Sequence, residues 1–580
     1  MKQKLYEVPF SRRGSYLALS YEQKEGQLWL RDVRGGDESP SHLFQLVLSY
    51  QGQTLDIYSA ETQAQFQLTL SATQFALVHR AQPEVCLTII FPTENQVRIK
   101  QQQIGLTLIA DKIRYDSLNP LSDQHFEYIS YKKEARYQID FRTPEFVYVA
   151  PWEKVGNTEI KLQLPEENLQ QEILFTDYRV VSPVIVPFQT TFETDAEQVA
   201  EEYQAWQARF QPALPLYEDS NNLAQYILWS SIVRPEGLLT GESIYMSKNW
   251  MQNIWSWDNC FNALGVATNE AELAYNQMAL FCQYQDSSGA YPDFINTQFY
   301  SFNCVKPPIH AWAYQKLMQQ APFFTEEAQL QTMYESISQA TLFWLNHRRC
   351  SRTGLCYYTH GNDSGWDNAS IFHEGLPVIA PDLQAYLIQQ MDLLGTWAQK
   401  LKRPAEQSIW QEQADALTTL LLKELYDEQA GQFVAKSLRT GAVIAQKQSL
   451  ILRLPLVIAS RLPKEIVTNL VRDLANQFEG AFGLATEAPS SPLYKNNGYW
   501  LGPIWAPSSY LFVDALLRCG EVDFALRLAK KYCDMTLIGG MAENYNPETG
   551  KGNDDLSFTW TSSVFLQMQT LLAQKMRDSQ

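Results

Sequence analysis

Two periods of apolar and polar residues divide the chain. Up to about residue 190 the alternation is every second residue, as in FQLTLS, where Phe66, Leu68 and Leu70 share one side and Gln67, Thr69 and Ser71 the other. Alternate side chains of a strand point to opposite faces, so such a run predicts a strand with one buried face. QLWLRDV, LFQLVLSY, VCLTIIF, QVRIKQQQ, ARYQIDF, EFVYVA and IKLQLP repeat the pattern between turns rich in Gly, Pro, Asn and Asp. Many short strands in succession predict an antiparallel β-sandwich over residues 1–190.

The period becomes helical at TTFETDAEQVAEEYQAWQARF, where Thr194 and Glu197 have capping-box spacing and Val199, Tyr203, Trp206 and Phe210 share one broad face. This stretch predicts a helical linker over 191–220. From 221 to 580, runs such as NNLAQYILWSSI, EAELAYNQMALFCQYQ, PPIHAWAYQKLMQQ, PDLQAYLIQQMDLLGTWAQKLK and APSSYLFVDALLRCG keep the helical period. They amount to about a dozen helices, a number that suits an (α/α)6 barrel. The expected fold is therefore multidomain β plus α.

Composition narrows the partners. The 580 residues suffice for two or more cores, and 64 Asp and Glu against 46 Lys and Arg give a net charge of −18. Nucleic acid and anionic membrane are poor partners for such a chain, since phosphate binding needs cationic clusters. The start, MKQKLYEVPFSRRGSYLALSYEQ, has no apolar signal core, and later segments lack a long uninterrupted apolar run, so a cytoplasmic protein is expected. Cysteines at 86, 260, 282, 304, 350, 356, 519 and 533 form no C-x-x-C pair and do not cluster with His, so neither a disulfide framework nor a metal site is expected. Nucleotide-binding and serine-hydrolase motifs are missing, and no cofactor is called for. The oligomeric state is left open.

Polar chemistry interrupts the helices at NWMQNIWSWDNCFN, GAYPDFINTQFYSFNCVKPP, HGNDSGWDNAS, NNGYWLGPIWAP and MAENYNPETG. Aromatic rings beside carboxylates suit a sugar, whose ring has apolar faces and a hydroxyl rim. Glycoside hydrolysis needs two carboxyl groups, one protonating the leaving oxygen and one activating water or attacking directly. Asp367, after Gly365 and Trp366, is a candidate, and its bland alternative is a helix N-cap. Glu543 is the second candidate, or else an ordinary turn glutamate. Asp258, after Trp255 and Trp257, is equally a first-turn helix aspartate; Lys306 is a substrate contact or a solvated lysine; Trp500 and Trp505 are stacking platforms or core.

In order along residues 221–575, IWSWDNCFN, KPPIHAWA, SGWDNAS, GYWLGPIW, ENYNPETG and FTWTSSVF resemble glycoside hydrolase family 63 and related bacterial (α/α)6-barrel α-glycosidases. The resemblance implies an inverting enzyme with Asp367 as general acid and Glu543 as general base. It also implies that Trp257 and Asp258 hold the terminal sugar, with Tyr499, Trp500 and Trp505 lining that pocket; from their own chemistry and position, Trp255, Lys306, Gly365 and Trp366 are further expected substrate-binding residues. Inversion leaves room for water, so the two carboxyls are expected roughly 6.5–9.5 Å apart. Where related mannosylglycerate hydrolases tend to have Gln-Pro-Pro, this chain has Lys306-Pro307-Pro308. The expected function is an exo-acting inverting α-glycosidase releasing a terminal α-linked sugar, expected to be glucose, from a small glycoside or oligosaccharide. The alternatives are a mannosylglycerate or glucosylglycerate hydrolase, a glycoside phosphorylase and a non-catalytic sugar-binding protein.

Overall fold

A computed structural model describes residues 4–578 except 38–40, 168 and 182–185. Two antiparallel sheets form the N-terminal sandwich. One runs Leu17–Glu22, Gln27–Asp32, His42–Tyr50, Gly105–Ala110, Lys161–Leu164, Val147–Val149, with Gln53–Leu55 paired to His42–Tyr50. The other runs Ser117–Pro120, His125–Ser130, Ala135–Phe141, Gln171–Tyr178, Gln96–Gln102, Cys86–Ile90, Phe75–His79, Phe66–Leu70. Leu19, Leu30, Phe44, Leu46 and Leu108 of the first meet Leu77, Ile89, Ile99, Ile139 and Phe175 of the second in one buried core. The strand Gln171–Tyr178 is buried at every position, which blurs its alternation. Its outward Glu172 is held by Arg98 at 2.5 Å.

The linker helix is Phe192–Gln207, with Val199, Tyr203 and Trp206 buried. Its cap departs from the expected capping box: Thr191 accepts from the Thr194 amide at 3.1 Å, leaving Thr194 inside the first turn. Two adjacent threonines precede the helix, and the first residue with helical geometry, Phe192, decides which of the nearby hydroxyls caps.

The helical region closes as an (α/α)6 barrel. Its inner ring is Asp258–Val266, His310–Gln320, Pro381–Lys400, Leu450–Arg461, Ala506–Arg518 and Thr559–Asp578, each packed on the next and the last on the first. Around it lie Glu218–Ser231, Ala271–Gln283, Glu327–His347, Pro404–Leu425, Lys464–Asp473 and Val522–Gly539. Leu450–Arg461 is a tighter 3-10 stretch carrying Pro455, which has no N–H for an α-helical ladder. Inner helices are parallel to one another, so every outer-to-inner connection arrives at one end, above the inner N-termini. The polar motifs all lie in these connections. None of the described helices is long and apolar enough to cross a membrane, and all eight cysteines are free thiols.

Candidate active site

The connections bring together charges that are distant in sequence. Asp258 opens an inner helix and is buried, and Asp293 precedes the strand Phe294–Ile295, which pairs with Ile254–Trp255. The Lys306 ammonium lies 3.3 Å from Asp293 and donates to the Asn362 carbonyl at 3.1 Å. Burial pushes the Asp258 carboxyl up to about 8, with Asp293 and Asp367 adding and Lys306 opposing. Burial also raises Asp367, against the charges of Lys306 and His360. Burial alone would lower the Lys306 ammonium, but Asp293, Asp367 and Asp258 together raise it. Lys306 is thus the cation of a three-carboxylate cluster. Among the described residues no group of three or more His, Cys, Asp or Glu side chains is arranged to hold a metal ion.

The loop bearing Asp367 is built from its own sequence. Gly361–Ser364 form one 3-10 turn, and the buried Asp363 accepts from the Thr359 amide at 2.8 Å and the Val305 amide at 3.0 Å. Asp363 is therefore structural. Gly365 has φ +70°, and a Cβ there would sit 2.6 Å from Trp257 Cζ2; at Gly361 a Cβ would meet the Asp367 carbonyl at 1.9 Å. Both glycines let the backbone fold back tightly beneath Asp367. Gly365→Ala is expected to cost about 1–2 kcal/mol for its left-handed backbone alone and to displace Trp257 or Asp367. Thermal unfolding and kcat/KM should both fall; wild-type values of both would contradict this role.

Asn368 ties this loop to the next. Its side chain donates to the Gly498 carbonyl at 3.0 Å and accepts from the Trp500 amide at 2.9 Å. The following strand Ile504–Trp505 pairs with Asn544–Tyr545, which Glu543 precedes. Tyr499 donates to Glu543 Oε1 at 3.1 Å. Its own φ of +63° is the left-handed region, a strain held in place by Trp505 Nε1 donating to its carbonyl at 2.9 Å. Burial pushes Glu543 up to about 8, with Asp555 and Asp554 adding and the Tyr499 hydroxyl opposing. The Tyr499 phenol is itself raised by burial and by the nearby charges of Glu543, Asp367 and Asp258. It thus links the Glu543 side to the Asp258–Asp293–Lys306–Asp367 side.

The aromatic residues divide into two groups. Trp500 and Trp505 stack at 4.0 Å and 7°, Trp366 lies 4.6 Å from Trp500, and Trp257 lies 5.9 Å from Trp560. Trp257, Trp366, Trp500 and Trp505 are buried against one another under the loops, whereas Trp255 and Tyr499 are half-exposed. The buried stack fixes the two loops relative to each other.

The model of the mannosylglycerate hydrolase MGH1-like glycoside hydrolase domain matches residues 251–561, more than half of the chain. The chain belongs to this family. This glycoside hydrolase is 22% identical over 392 residues to mannosylglycerate hydrolase MGH2 of Selaginella moellendorffii, covering 54% of this chain and 79% of the relative. The barrel fold is that of the GH63 mannosylglycerate hydrolase from Thermus thermophilus in complex with glucose, at TM-score 0.53, 19% identity and coverage of 60% of this chain and 99% of that one. Across both domains the hydrolase resembles a bacterial glucoamylase complexed with acarbose, at TM-score 0.62, 9% identity and coverage of 99% and 95%.

Three carboxylates of this hydrolase escape the sequence reading. Asp293 sits in a noted stretch, but a Pro-Asp pair before a strand carries no sign that Lys306 will face it. Glu487, which accepts from Ser370 at 2.7 Å and Ser491 at 2.6 Å, holds the far end of the Asp367 loop. Asp555 lies behind Glu543. Each is marked by burial and partners, which arise from the fold.

Proposed function

We propose that this glycoside hydrolase is an inverting α-glycosidase that releases a terminal α-linked mannose or glucose from a small glycoside of the mannosylglycerate or glucosylglycerate type. Asp367 is the general acid and Glu543 the general base. The observation that carries the reading is the meeting of two carboxyls from separate loops at Tyr499: Glu543 is buried and accepts from the Tyr499 hydroxyl at 3.1 Å, and Asp367 is half-buried with its charge acting on the same phenol; burial raises both carboxyls. A carboxyl raised by burial holds the proton that the leaving oxygen needs, and a second one across the sugar can receive a proton from water. Asp258 and Asp293 offer acceptors for the sugar hydroxyls, and Lys306 orients them. Trp255 and Tyr499, being half-exposed, are the aromatic surfaces available to the ring, while Trp257, Trp366, Trp500, Trp505 and Gly365 set the shape beneath it. The named relatives favour a glycerate aglycone over a neutral glucoside.

The purified protein is to be assayed against mannosylglycerate, glucosylglycerate and a set of α-linked glucose and mannose disaccharides, without added phosphate. Turnover of the glycerates with kcat/KM well above that of the disaccharides is expected. Preference for a disaccharide would replace the aglycone assignment, and release requiring phosphate would replace hydrolysis by phosphorolysis.

A further inference from the structure

The family match begins at residue 251, yet the segment that runs from the sandwich strand Gln27–Asp32 towards His42–Tyr50 reaches both sides of the site. Arg31, nearly fully buried, donates Nη1 to the Lys248 carbonyl at 3.0 Å and Nη2 to the Asn249 carbonyl. Asn249 Nδ2 donates to Asp555 Oδ1 at 2.8 Å, and the Ser247 hydroxyl donates to Asp555 Oδ2. The Ser557 amide adds a third donor at 2.9 Å. Asn249, Ser247 and Ser557 each donate a hydrogen to Asp555, which favours its charged form and opposes the burial that raises this carboxyl. The Asp555 carbonyl then accepts the Glu543 amide at 2.6 Å.

The barrel loop that carries Ser247, Lys248 and Asn249 is clamped on its other side as well. Lys248 Nζ donates to the Ser15 carbonyl at 2.5 Å and the Ser11 hydroxyl at 3.1 Å, and Asn249 Nδ2 also reaches the Glu7 carbonyl at 3.1 Å. On the opposite side of the site, the Gly35 amide donates to Thr297 Oγ1 at 3.3 Å. Gly36, at φ +79°, lies so close that a Cβ would meet Asn253 Oδ1 at 2.5 Å and Asn296 Nδ2 at 2.6 Å. Asn253 and Asn296 flank the paired strands Ile254–Trp255 and Phe294–Ile295, which place Asp258 and Asp293. Arg34, between these two points of contact, is buried and ion-paired to Asp32, Asp177 and, at 2.7 Å, Glu236. This anchors the segment to both domains.

We infer that the sandwich segment Arg31–Asp37 is an integral part of the site's framework, and that Arg31 is a positioning residue that fixes Glu543 through Asn249 and Asp555. The inference rests on the reading of Glu543 as the general base. The groups facing Glu543 are Tyr499, Asp554 and Asp555, with Asp367 and Asp258 beyond Tyr499 and Arg31 behind Asp555. Their signs separate positioning from mere support. Arg31 offsets the negative charge of Asp555, so removing it leaves Glu543 holding its proton more tightly; removing the charge of Asp555 does the reverse.

The test uses the full chain, with kcat, KM and the pH profile of kcat/KM measured for Arg31→Gln, Arg31→Lys, Asp555→Asn and Glu543→Gln beside thermal unfolding. A base displaced by a fraction of an ångström to 1 Å loses up to about a hundredfold in rate. Arg31→Gln should therefore lower kcat tenfold or more with little change in KM. Its ascending limb should move to higher pH, that of Asp555→Asn should move to lower pH, and Arg31→Lys should recover part of kcat. If Arg31→Gln does not fold, Asn249→Ser, which cuts the link to Asp555 and keeps the carbonyls that Arg31 binds, should show the same loss of kcat. Limbs that stay in place or move together, or a wild-type kcat in Arg31→Gln or Asn249→Ser, would overturn the inference. An active Glu543→Gln would instead overturn the base assignment on which it rests.

Discussion

Asp367→Asn is expected to lower kcat by about 10²–10⁴, the range a general acid contributes, when the leaving group is an alcohol or glycerate. The loss should nearly vanish on an α-glycosyl fluoride, because fluoride departs with little help from a proton. KM should change little, since the Asn side chain keeps the size of the Asp and the cluster of Asp258, Asp293 and Lys306 remains. The dependence on leaving group separates loss of a proton donor from loss of shape. Steady-state rates on the two substrate types measure it. An equal loss on both would remove Asp367 from the acid role, and wild-type rates on both would remove it from the chemistry.

Glu543→Gln should lower kcat by a comparable factor, about 10²–10⁴, but on the fluoride as well, because activation of water is needed whatever leaves. In the wild type, kcat/KM is expected to rise with pH as Glu543 ionises. Its limb should lie far above the ordinary carboxylate range, since burial and the charges of Asp555 and Asp554 place this carboxyl at about 8. The variant should lack that limb. It should also be more stable than the wild type, and the sign follows from linkage. A carboxyl whose pKa is raised on folding binds its proton more tightly in the folded state, so stability declines as pH rises from the ordinary value through about 8. A neutral Gln removes that penalty, so its Tm gain should be larger at pH 9 than at pH 5. Unfolding curves at the two pH values check it; a lower Tm at both would mean that Glu543 is a structural ligand of its loop.

The division into sandwich and barrel was legible because both depend on periodicity, which single sequences carry strongly. Strands such as Phe66–Leu70 alternate visibly, whereas Gln171–Tyr178, buried throughout and half polar, does not. Motif order likewise pointed to Asp367 and Glu543 as candidates, and both lie on outer-to-inner connections of the barrel. The tryptophans were harder to read, because a ring next to a carboxylate looks the same in sequence whether it faces sugar or another ring. Trp500 and Trp505 turn to each other, while Tyr499 between them and the Gly498 turn takes the half-exposed place. Asp293, Asp555 and Arg31 were illegible for a further reason. Their surroundings come from segments tens to hundreds of residues away, and Arg31 comes from the other domain.

The central claim is that Asp367 and Glu543 work on opposite faces of the sugar with a water between Glu543 and the anomeric carbon. Proton NMR of the first turnovers of an α-linked substrate, recorded before mutarotation, tests it directly. The account predicts that the β-anomer appears first and the α-anomer only later by equilibration; an α-anomer appearing first would contradict it.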